Sequence, residues 1–408
     1  MSDSLKPREV KEVEEAIGWA LAAGKTLELI GHGTKRAIGR AAQWDATLDL
    51  SGLSGVTLYE PEELVLSAKA GTPLVELETL VAGSKQQLAF EPMDYASVLG
   101  EAAAGATIGG VIAGNLSGPR RIKAGAARDH FLGVNAVSGR GEAFKSGGRV
   151  VKNVTGYDLC KLLAGSWGTL AAMTEVTIKV LPRAETEETV LALDLEDGAA
   201  CKIMAAAMGS FADVSAAAHL PAVAAGRVAE IASASAGVTA FRLEGIAPSV
   251  AQRKSVLQVL LAPFGSLATL DEASSRALWR AIRDATPFAA GGPAGTRHLW
   301  RLSTAPSRGA ELGRKLREEA GAELLYDWAG GLVWAALAPS ADAQAPFVRA
   351  SVAATGGHAT LVRAPAAIRA TVDVFTPEAP ALAALTRRVH ESFDPHRVLN
   401  AGRMWAGV

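Results

Sequence analysis

The stretch that decides the fold reads GATIGGVIAGNLSGP and occupies residues 105–119. It contains five glycines and no charged side chain. A solvated surface loop would carry more polar side chains, and glycine costs about 1 kcal/mol against alanine in a regular helix. We therefore expect main chain that passes close to an anion or a flat ring, because glycine lets N–H groups converge there. The alternative is a tightly packed glycine–alanine helix and turn inside a core.

Composition indicates a globular protein of two or three domains. The chain has 408 residues and a formal net charge of −1, and it has no lysine and arginine run of the kind that binds nucleic acid. Cys160 and Cys201 form neither a disulfide framework nor a CxxC motif, which favours a reducing cytoplasm. Only His390 and His396 are close in sequence, and a proline-containing turn separates them, so no metal site is predicted. The N-terminus lacks the apolar core of a signal peptide, and no apolar run is long enough to cross a bilayer.

Periodicity divides the chain into three parts and predicts an α+β fold. Residues 1–182 combine short strands with helices, and residues 183–368 alternate strands and helices as in an α+β module with an antiparallel sheet, whose halves suggest a duplication. Residues 369–408 hold one helix and a polar tail. Helices are predicted at 7–23, 73–83, 157–164, 197–208, 248–262 and 379–392. Strands are predicted at 26–30, 46–50, 56–59, 64–71, 132–138, 174–181, 189–194, 237–245, 298–303, 322–327, 331–337 and 359–363.

A second glycine motif, Gly31-His32-Gly33-Thr34, follows the predicted strand at 26–30. A dinucleotide fingerprint would need a third glycine where Arg36 stands, with a helix opening at once. The motif is therefore not a Rossmann fingerprint, and no P-loop pattern follows it either. A structural turn and an anion-binding loop both remain open for this segment.

The order of the motifs is more specific than any one of them. The chain resembles the FAD-linked oxidases of the vanillyl-alcohol-oxidase or p-cresol-methylhydroxylase (PCMH) type, closely over 26–182 and more loosely in the tail. The likeness is greatest to the smaller FAD-binding subunits of bacterial glycolate oxidases, above all at KNVTGYDLCKLLAGSWGTL, residues 152–170. The matching motifs are Gly31 to Thr34, Pro92-Met93-Asp94, Ala106 to Asn115, Arg128-Asp129, Gly156-Tyr157-Asp158-Leu159, Gly165-Ser166 with Gly168-Thr169-Leu170, and Phe393-Asp394-Pro395 with Leu399 to Arg403.

This resemblance implies a two-subdomain PCMH-type FAD-binding domain at 1–182, an α+β cap that carries the substrate site at 183–368, and a C-terminal segment at 369–408 that returns to the flavin. Loops 31–35 and 107–110 are expected to offer N–H donors to the pyrophosphate, while small residues let main chain lie against the isoalloxazine. Asn400 and Arg403 are expected on the other side. The expected FAD-binding residues are Gly31, His32, Gly33, Thr34, Lys35, Pro92, Met93, Asp94, Thr107, Ile108, Gly109, Gly110, Ala113, Gly114, Asn115, Arg128, Asp129, Gly156, Tyr157, Gly168, Asn400 and Arg403.

His32 does not stand where the family attaches FAD covalently. In members with a covalent bond, the resemblance places the histidine at the position of Thr34. We therefore predict non-covalent FAD, with His32 as a loop residue.

The cap departs from the family. Members that oxidise 2-hydroxy acids carry an HxGDGN-like segment that supplies metal ligands and a base. The matching hairpin here, residues 326–334, keeps its glycines and has no histidine, so no metal is expected. The catalytic candidates are Tyr157, Arg301 and Asp327, with Arg297 and His298 as further polar residues near the hairpin. Arg301 suits a carboxylate because a guanidinium can bind one through two parallel hydrogen bonds, although a structural ion pair is an equal alternative.

Two functions follow from the resemblance. In the first, the chain oxidises glycolate or a similar 2-hydroxy acid to the 2-oxo acid and passes electrons to an iron–sulfur partner, since it holds no cluster ligands of its own. In the second, it is a non-catalytic or electron-relay flavin subunit that docks a catalytic sister flavoprotein. Both place a heteromeric complex in the cytoplasm, with any membrane association made through partners. A flavin-less scaffold is a third alternative.

Overall fold

The computed structural model describes residues 3–101, 105–149 and 156–407. A three-stranded parallel sheet opens the chain, in the order β1-β3-β2. Its elements are β1 (Asp3–Leu5), α1 (Val10–Ala23), β2 (Leu27–Ile30) and β3 (Ala46–Asp49). Helix α1 packs its apolar residues into this sheet and ends at Gly24, whose left-handed φ of 62° suits glycine.

A five-stranded antiparallel sheet forms the second subdomain, in the order β4-β5-β9-β7-β8. Its elements and their connections are β4 (Val56–Glu60), β5 (Val65–Lys69), α2 (Leu74–Gly83), β6 (Gln86–Gln87), α3 (Ala96–Leu99), α4 (Ile108–Gly114), α5 (Arg121–Ala124), α6 (Ala127–His130), β7 (Phe131–Ser138), β8 (Ala143–Gly147), α7 (Leu159–Leu163), β9 (Ala171–Lys179) and β10 (Leu181–Pro182). No helix in the described parts of the chain is long and apolar enough to cross a membrane.

The glycine-rich stretch is more regular than the sequence suggests. Residues 108–114 form helix α4, and the Thr107 side chain caps it by accepting a hydrogen bond from Gly110 N at 3.3 Å. The structure thus agrees with the alternative of a packed glycine–alanine helix, because Ile108, Val111 and Ile112 are buried and their burial offsets the cost of the glycines. A β-carbon on Gly109 would lie 2.8 Å from Ala70 O, so the helix sits directly on the strand end behind it.

The cap is a duplicated β-α-β-β-α-β module on one antiparallel sheet, as the sequence suggests. The sheet order β14-β11-β13-β12-β16-β17-β15-β18 repeats the same four-strand order in mirror image. The elements are β11 (Thr186–Leu193), α8 (Asp197–Met208), β12 (Ala216–Leu220), α9 (Ala222–Ala225), β13 (Val238–Gly245), α10 (Ala247–Leu261), β14 (Leu267–Leu270), α11 (Glu272–Arg283), β15 (His298–Ser303), α12 (Gly309–Ala320), β16 (Glu323–Asp327), β17 (Leu332–Leu337), α13 (Ala345–Ala354) and β18 (His358–Arg363).

One face of the cap sheet looks towards the FAD-type domain. Arg301 pairs with Trp334, and Trp334 with Leu325, so these side chains and that of Asp327 share a face. Trp334 meets Tyr95 of the first domain with ring centroids 6.2 Å apart. The register of β15, β16 and β17 therefore carries Arg301 and Asp327 to the seam between the domains.

The C-terminal segment returns to the first sheet. It consists of α14 (Ala366–Thr371), α15 (Pro380–Phe393) and a tail in which Leu399 forms a parallel bridge with Leu27 of β2. Asp394 fixes the turn before this bridge by accepting hydrogen bonds from Val398 N at 3.0 Å and Leu399 N at 2.8 Å. The tail thereby brings Asn400 and Arg403 beside the loop that follows β2.

Candidate functional site

A cleft opens where the first two subdomains meet the tail. The structure brings together the loop after β2, the start of α4, the turn before β9 and the tail. The cleft is lined by residues 29–36, Leu50, Ala70, Thr107, Gly109, Gly110, Ala113, Trp167, Gly168, Ala171, Met173, Asn400 and Arg403.

The loop after β2 presents unused main-chain donors to this cleft. The amides of residues 32–35 donate to no acceptor among the described parts of the chain. Gly33 has a φ of 77°, which bends the loop, and Gly31 lies so close to Thr107 that a β-carbon would come within 2.4 Å of its Oγ1. Arg36 turns away and donates to Glu28 with Nε at 2.9 Å. Successive free N–H groups of this kind bind anions, so the anion-loop alternative gains support over a plain turn.

Lys35 adds a buried positive charge. Its Nζ donates to Thr34 Oγ1 at 3.1 Å, and no carboxylate in the described ranges lies within ion-pair distance of it. Burial lowers the pKa of Lys35 to about 8, while the charge of Asp94 raises it and that of Arg403 lowers it further. An anionic ligand beside Lys35 would favour its charged form, which burial disfavours.

Arg403 supplies the second buried cation. Its Nη2 donates to Lys35 O at 2.7 Å, and its guanidinium lies 5.8 Å from the centroid of the Trp167 ring. Its Nε is buried and has no hydrogen-bond partner in the described structure. Burial lowers the pKa of Arg403 to about 10. A buried donor without a partner costs about 1–3 kcal/mol, which a ligand oxygen at this point would recover.

Asn400 also lines the cleft, and its role is structural. Its Oδ1 accepts from Leu29 N at 2.9 Å and its Nδ2 donates to Trp167 O at 2.8 Å. A β-carbon on Gly168 would lie 2.9 Å from this Nδ2. Asn400 thus ties β2 to the turn before β9 and shapes the cleft, since its amide group has little capacity left for a ligand.

The start of α4 contributes surface in place of donors. Ile108 N donates to Thr72 O at 3.1 Å, Gly109 N to Ala70 O at 2.8 Å, and Gly110 N to Thr107 Oγ1. The expectation that 107–110 offers free N–H groups therefore fails for residues 108–110, whose amides already have acceptors, while Thr107 N has no acceptor in the described structure. Helix α4 instead leaves space in the cleft, because Gly109, Gly110 and Ala113 have a small side chain or none.

These features fit an FAD nucleotide. Its pyrophosphate carries two negative charges, which Lys35, Arg403 and the free amides after β2 can bind together. The glycine and alanine positions of α4 and Gly168 leave room for a flat ring beside main chain. The buried Nε of Arg403 has no hydrogen-bond partner in the described structure, and an oxygen of the ligand would supply one.

The structure places several expected FAD residues away from this cleft. Pro92 lines a second cleft of about 960 Å³, and Met93 is buried in the core. Asp94 N donates to Asp284 Oδ1 at 3.0 Å, and the Asp94 charge acts on Lys35 from outside the cleft lining.

The residues around α6 have local structural roles. Asn115 ends α4 with a φ of 48° and accepts from Arg128 N at 3.0 Å, and Asp129 caps α6 by accepting from Ala126 N at 2.8 Å. Their side chains complete helix ends, which explains their fixed spacing without a ligand. Gly114 packs on Leu116 and Trp167 behind the cleft wall.

Tyr157 is the most exposed of the three catalytic candidates. Its side chain is 90% exposed and lines neither of the two clefts described above. Gly156 beside it is exposed as well. The rest of this motif, residues 152–155, lies outside the described residues. Nothing in the described contacts supports an active-site role for Tyr157.

The cap hairpin keeps the other two candidates near the seam. Asp327 is buried, its Oδ1 accepts from Trp328 N at 2.7 Å, and its Oδ2 has no hydrogen-bond partner in the described structure. Burial raises the pKa of Asp327 to about 7. Trp328 Nε1 donates to Gly118 O at 3.0 Å, which docks the hairpin on the end of the glycine-rich stretch. Arg301 lies with its guanidinium 4.9 Å from the Trp328 ring centroid.

The remaining polar candidates of the cap point elsewhere. Arg297 forms an ion pair with Glu323 at 3.0 Å. His298 is buried, and the alternation of β15 puts it on the face opposite to Arg301. In the described ranges, no group of three or more His, Cys, Asp or Glu side chains is placed to hold a metal ion.

Sequence reasoning missed three residues at these sites. Trp167 forms part of the cleft wall, and the available signal was its position between Ser166 and Gly168 in the motif of residues 165–170. Arg121 and His358 lie near Arg301 in space but far from it in sequence, so no spacing pattern reveals them.

Comparisons with known proteins agree with this geometry. Residues 4–147 match the family model of the FAD binding domain. The chain is 41% identical to the glycolate oxidase subunit GlcE of Escherichia coli K12 over 169 residues, 41% of this chain and 46% of that protein. It is 37% identical to the glycolate oxidase subunit GlcD of Bacillus subtilis 168 over 136 residues, 33% of this chain and 28% of that protein. The matched regions thus span less than half the length of these relatives.

The likeness of fold extends over the whole chain. A crystal structure of p-cresol methylhydroxylase with substrate bound aligns with a TM-score of 0.69 over 98% of this chain and 88% of that one, at 12% identity. This confirms the expected PCMH-type fold, and the matched domain confirms FAD as the expected cofactor.

Proposed function

We propose that this chain, an FAD-linked oxidoreductase by its matched domain, is the flavin subunit of a multi-chain oxidase of glycolate or a similar 2-hydroxy acid. The single observation that carries the proposal is a cleft lined by two buried cations, Lys35 and Arg403, that have no carboxylate within ion-pair distance in the described structure, in a chain similar to GlcE. Both GlcE and GlcD are named as subunits of glycolate oxidase, which supports a complex with a sister flavoprotein.

The residues of this chain would bind and orient the reactants. FAD, when bound, supplies the two-electron acceptor for oxidation of the hydroxyl-bearing carbon. Lys35, Arg403 and the amides of residues 32–35 would hold the pyrophosphate. Asp327 would take the hydroxyl proton at its free Oδ2, since a carboxyl with a pKa near 7 suits proton transfer at neutral pH.

Electrons would leave through partner chains. The sequence contains only Cys160 and Cys201, both buried, which is too few for an iron–sulfur cluster. We therefore place the cluster on a separate subunit and the complex in the cytoplasm, with any membrane attachment made through that partner.

Anaerobic mixing with glycolate tests the proposal. The FAD-loaded chain is followed at the flavin absorption band, first alone and then with the sister flavoprotein subunit. Bleaching in the complete complex is expected, and its absence there with both glycolate and D-lactate would contradict the proposal.

The second candidate is a relay subunit that carries FAD and docks a catalytic sister. It is favoured by the cap hairpin 326–334, which has no histidine where 2-hydroxy-acid oxidases of this type carry them. Bleaching of the isolated chain by glycolate would exclude the relay. Bleaching that requires the sister subunit would instead exclude turnover by this chain alone.

A further inference from the structure

The second cleft, which Pro92 lines, takes no part in the proposed function. Helix α2 and strand β6 of the first domain and helix α11 of the cap contribute to its lining. It shares no lining residue with the cleft that we assign to FAD, and neither Arg301 nor Asp327 lines it. Six arginines but four glutamates line this second cleft, so its lining carries more positive than negative charge.

The buried part of this lining has its charges paired. Arg120 and Arg242 both form ion pairs with Glu91 and Glu244. Glu187 lies 3.5 Å from Arg120 and belongs to the same network. Three of the four glutamates are thus engaged with these two arginines, and the excess of positive charge falls on the other arginines of the cleft.

Three of the remaining arginines form a row on α11. Arg276, Arg280 and Arg283 share one face of the helix because they follow one another by four and three residues, and all of them line the cleft. Arg283 pairs with Asp284 at 2.7 Å. Arg276 pairs with Glu272 of the same helix through a partly exposed contact, which contributes little. Arg280 has neither a carboxylate within ion-pair distance nor an acceptor for its guanidinium in the described parts of the chain.

Arg183 adds a positive charge from the segment that joins the two domains. It follows β10, which pairs with β6, and its main chain is fixed by the hydrogen bond from Arg183 N to Lys85 O at 2.8 Å. Its guanidinium also lacks an acid or an acceptor among the described residues. Arg183 and Arg280 are both exposed, which places them at the opening of the cleft, where a solute can reach them.

Glu78 of α2 is the fourth glutamate of the lining, and it does not neutralise these arginines. Its carboxyl group forms no ion pair and no hydrogen bond within the described ranges. Burial raises the pKa of Glu78, while the charge of Arg283 lowers it and the charges of Asp284 and Asp94 raise it. Its negative charge would therefore act against an anion in the cleft without holding an arginine in place.

An anion is the group that complements the free arginines. A guanidinium binds a phosphate or a carboxylate through two parallel hydrogen bonds. Arg276 and Arg280 stand one helical turn apart, with about 5–6 Å between their β-carbons. Arg183 reaches the same cleft from another segment of the chain. Three cations at this spacing suit one molecule with several anionic groups better than a single carboxylate.

We propose that Arg183, Arg276 and Arg280 form a binding site for a small polyanion, a molecule that carries two or more phosphate or carboxylate groups. The site is separate from the FAD cleft and from Asp327, so it does not depend on the proposed oxidation. Arg183 lies in the segment that joins the domains, and the other two arginines lie on α11 of the cap. A bound polyanion would tie this segment to the cap helix, and it should therefore raise the melting temperature.

Isothermal titration calorimetry of pyrophosphate against the FAD-loaded chain, without divalent cations, tests the site. FAD fills the first cleft and removes its cations from the measurement. Arg183→Gln and Arg280→Gln should each weaken pyrophosphate binding about tenfold or more, and the double variant should weaken it further. Arg280→Lys keeps the charge without the planar fork, so its affinity should fall between those of wild type and Arg280→Gln.

Glu78→Gln supplies a change of the opposite sign. Loss of this negative charge should tighten pyrophosphate binding about twofold or more, a result that damage to the fold cannot produce. Arg314→Gln is the matched control, because Arg314 is an exposed arginine that pairs with Glu318 and lines neither cleft. It should bind pyrophosphate like wild type. All variants should keep the wild-type FAD absorption spectrum.

Citrate and acetate are the further probes. Binding of pyrophosphate alone would assign the site to phosphate groups, binding of citrate alone would assign it to carboxylates, and binding of both would show that it recognises charge. Acetate should bind at least tenfold more weakly, and acetate binding as tight as that of the polyanions would overturn their assignment. The site itself would be overturned if neither polyanion binds, or if Arg183→Gln and Arg280→Gln keep the affinity of wild type and Arg314→Gln.

Discussion

Two adjacent residues, Arg120 and Arg121, enter opposite kinds of environment at the domain seam. Arg120 lies 2.7 Å from Glu91 and 2.6 Å from Glu244, and Arg242 also binds Glu91 at 2.7 Å. Glu187 joins this network, so its cations are balanced by acids. Arg121 has no such partner and stacks on Trp328.

This difference distinguishes charges that stabilise the fold from charges that are available to a ligand. A buried network with its charges paired holds the cap on the FAD-type domain, and removal of one member leaves the others buried without a partner. Lys35 and Arg403 have no carboxylate within ion-pair distance in the described structure, and both line the cleft that we assign to FAD. The paired charges therefore serve the fold, whereas Lys35 and Arg403 remain available to an anionic ligand.

The largest effect is expected from Arg242→Met in the balanced network. Arg242 is 1% exposed, and its loss removes two hydrogen bonds to the buried Glu91 and a nearby positive charge from Glu244, which leaves Arg120 as the partner of both acids. The free energy of unfolding should fall by about 3–5 kcal/mol, measured by guanidinium denaturation. Arg121→Met is the control and should cost less than about 1 kcal/mol. Equal losses in the two variants would remove the distinction between the clusters.

The same network predicts a pH dependence. Burial would raise the pKa of Glu244, but the charges of Arg242 and Arg120 outweigh it and lower that pKa to about 2. The stabilisation from Glu244 is thus complete above its unfolded pKa of 4.5 and is lost as pH falls towards 2. Arg242→Met should flatten this loss between pH 5 and 3.

Asp327→Asn tests the group that lies between the two clusters. Burial has the largest effect on the pKa of Asp327 and raises it. The charge of Glu91 raises this pKa further, whereas the charges of Arg242 and Arg301 lower it. As a proton acceptor it should contribute at least about a hundredfold to the rate of flavin reduction in the complete complex, measured by stopped flow. An unchanged rate would exclude this role.

Stability supplies the control for Asp327→Asn. The folded pKa of about 7 exceeds the usual 3.8, so ionisation of Asp327 destabilises the fold as pH rises from about 4 to 7. The variant should therefore raise the denaturation midpoint at pH 8 and leave it nearly unchanged at pH 4.

Lys35→Met tests the unbalanced charge of the cleft. FAD affinity should fall about tenfold or more because a charged hydrogen bond to the pyrophosphate is lost, measured by flavin fluorescence quenching in apoprotein titrations. In wild type the affinity should also decline above pH 8, where the buried Lys35 loses its proton. Apoprotein stability should not fall, since Lys35 has no carboxylate partner to lose. A loss of stability without loss of affinity would assign Lys35 to the fold.

The smallest effect is expected at His32. Its Nδ1 lies 3.1 Å from Gly105 O, and the resemblance described for the sequence implies that a covalent bond would form at the position of Thr34 and not at His32. All flavin should therefore appear in the supernatant after acid precipitation, both in wild type and in His32→Ala. Flavin retained in the wild-type pellet would contradict non-covalent binding.

Much of the fold was predictable because its signals are local. The strand β15 and the helix α8 follow their hydrophobic periods, and the duplicated cap follows from the alternation of elements. Strand β12 was missed because Ala216, Ala217 and Ala218 have low strand propensity and are held there by neighbouring strands. The helix α4 was misjudged because burial outweighs the intrinsic cost of glycine.

The site was predictable only in part. The cleft loop residues 31–35 were found because their motif is contiguous. The environments of Arg120 and Arg121 could not be predicted from the sequence, since Glu91, Glu244 and Arg301 reach the seam from distant parts of the chain. Sequence order does not show which of two neighbouring arginines, Arg120 or Arg121, will meet an acid.

The parallel bridge between Leu27 and Leu399 has a consequence for biosynthesis. The wall that holds Lys35 is finished only when Arg403, 368 positions later, donates to its carbonyl oxygen. A nascent polypeptide that has not yet reached residue 403 lacks this wall, whatever its first subdomain has already formed. Capture of the cofactor therefore requires the residues around Arg403, and translation stalled before residue 400 should yield protein that cannot retain flavin.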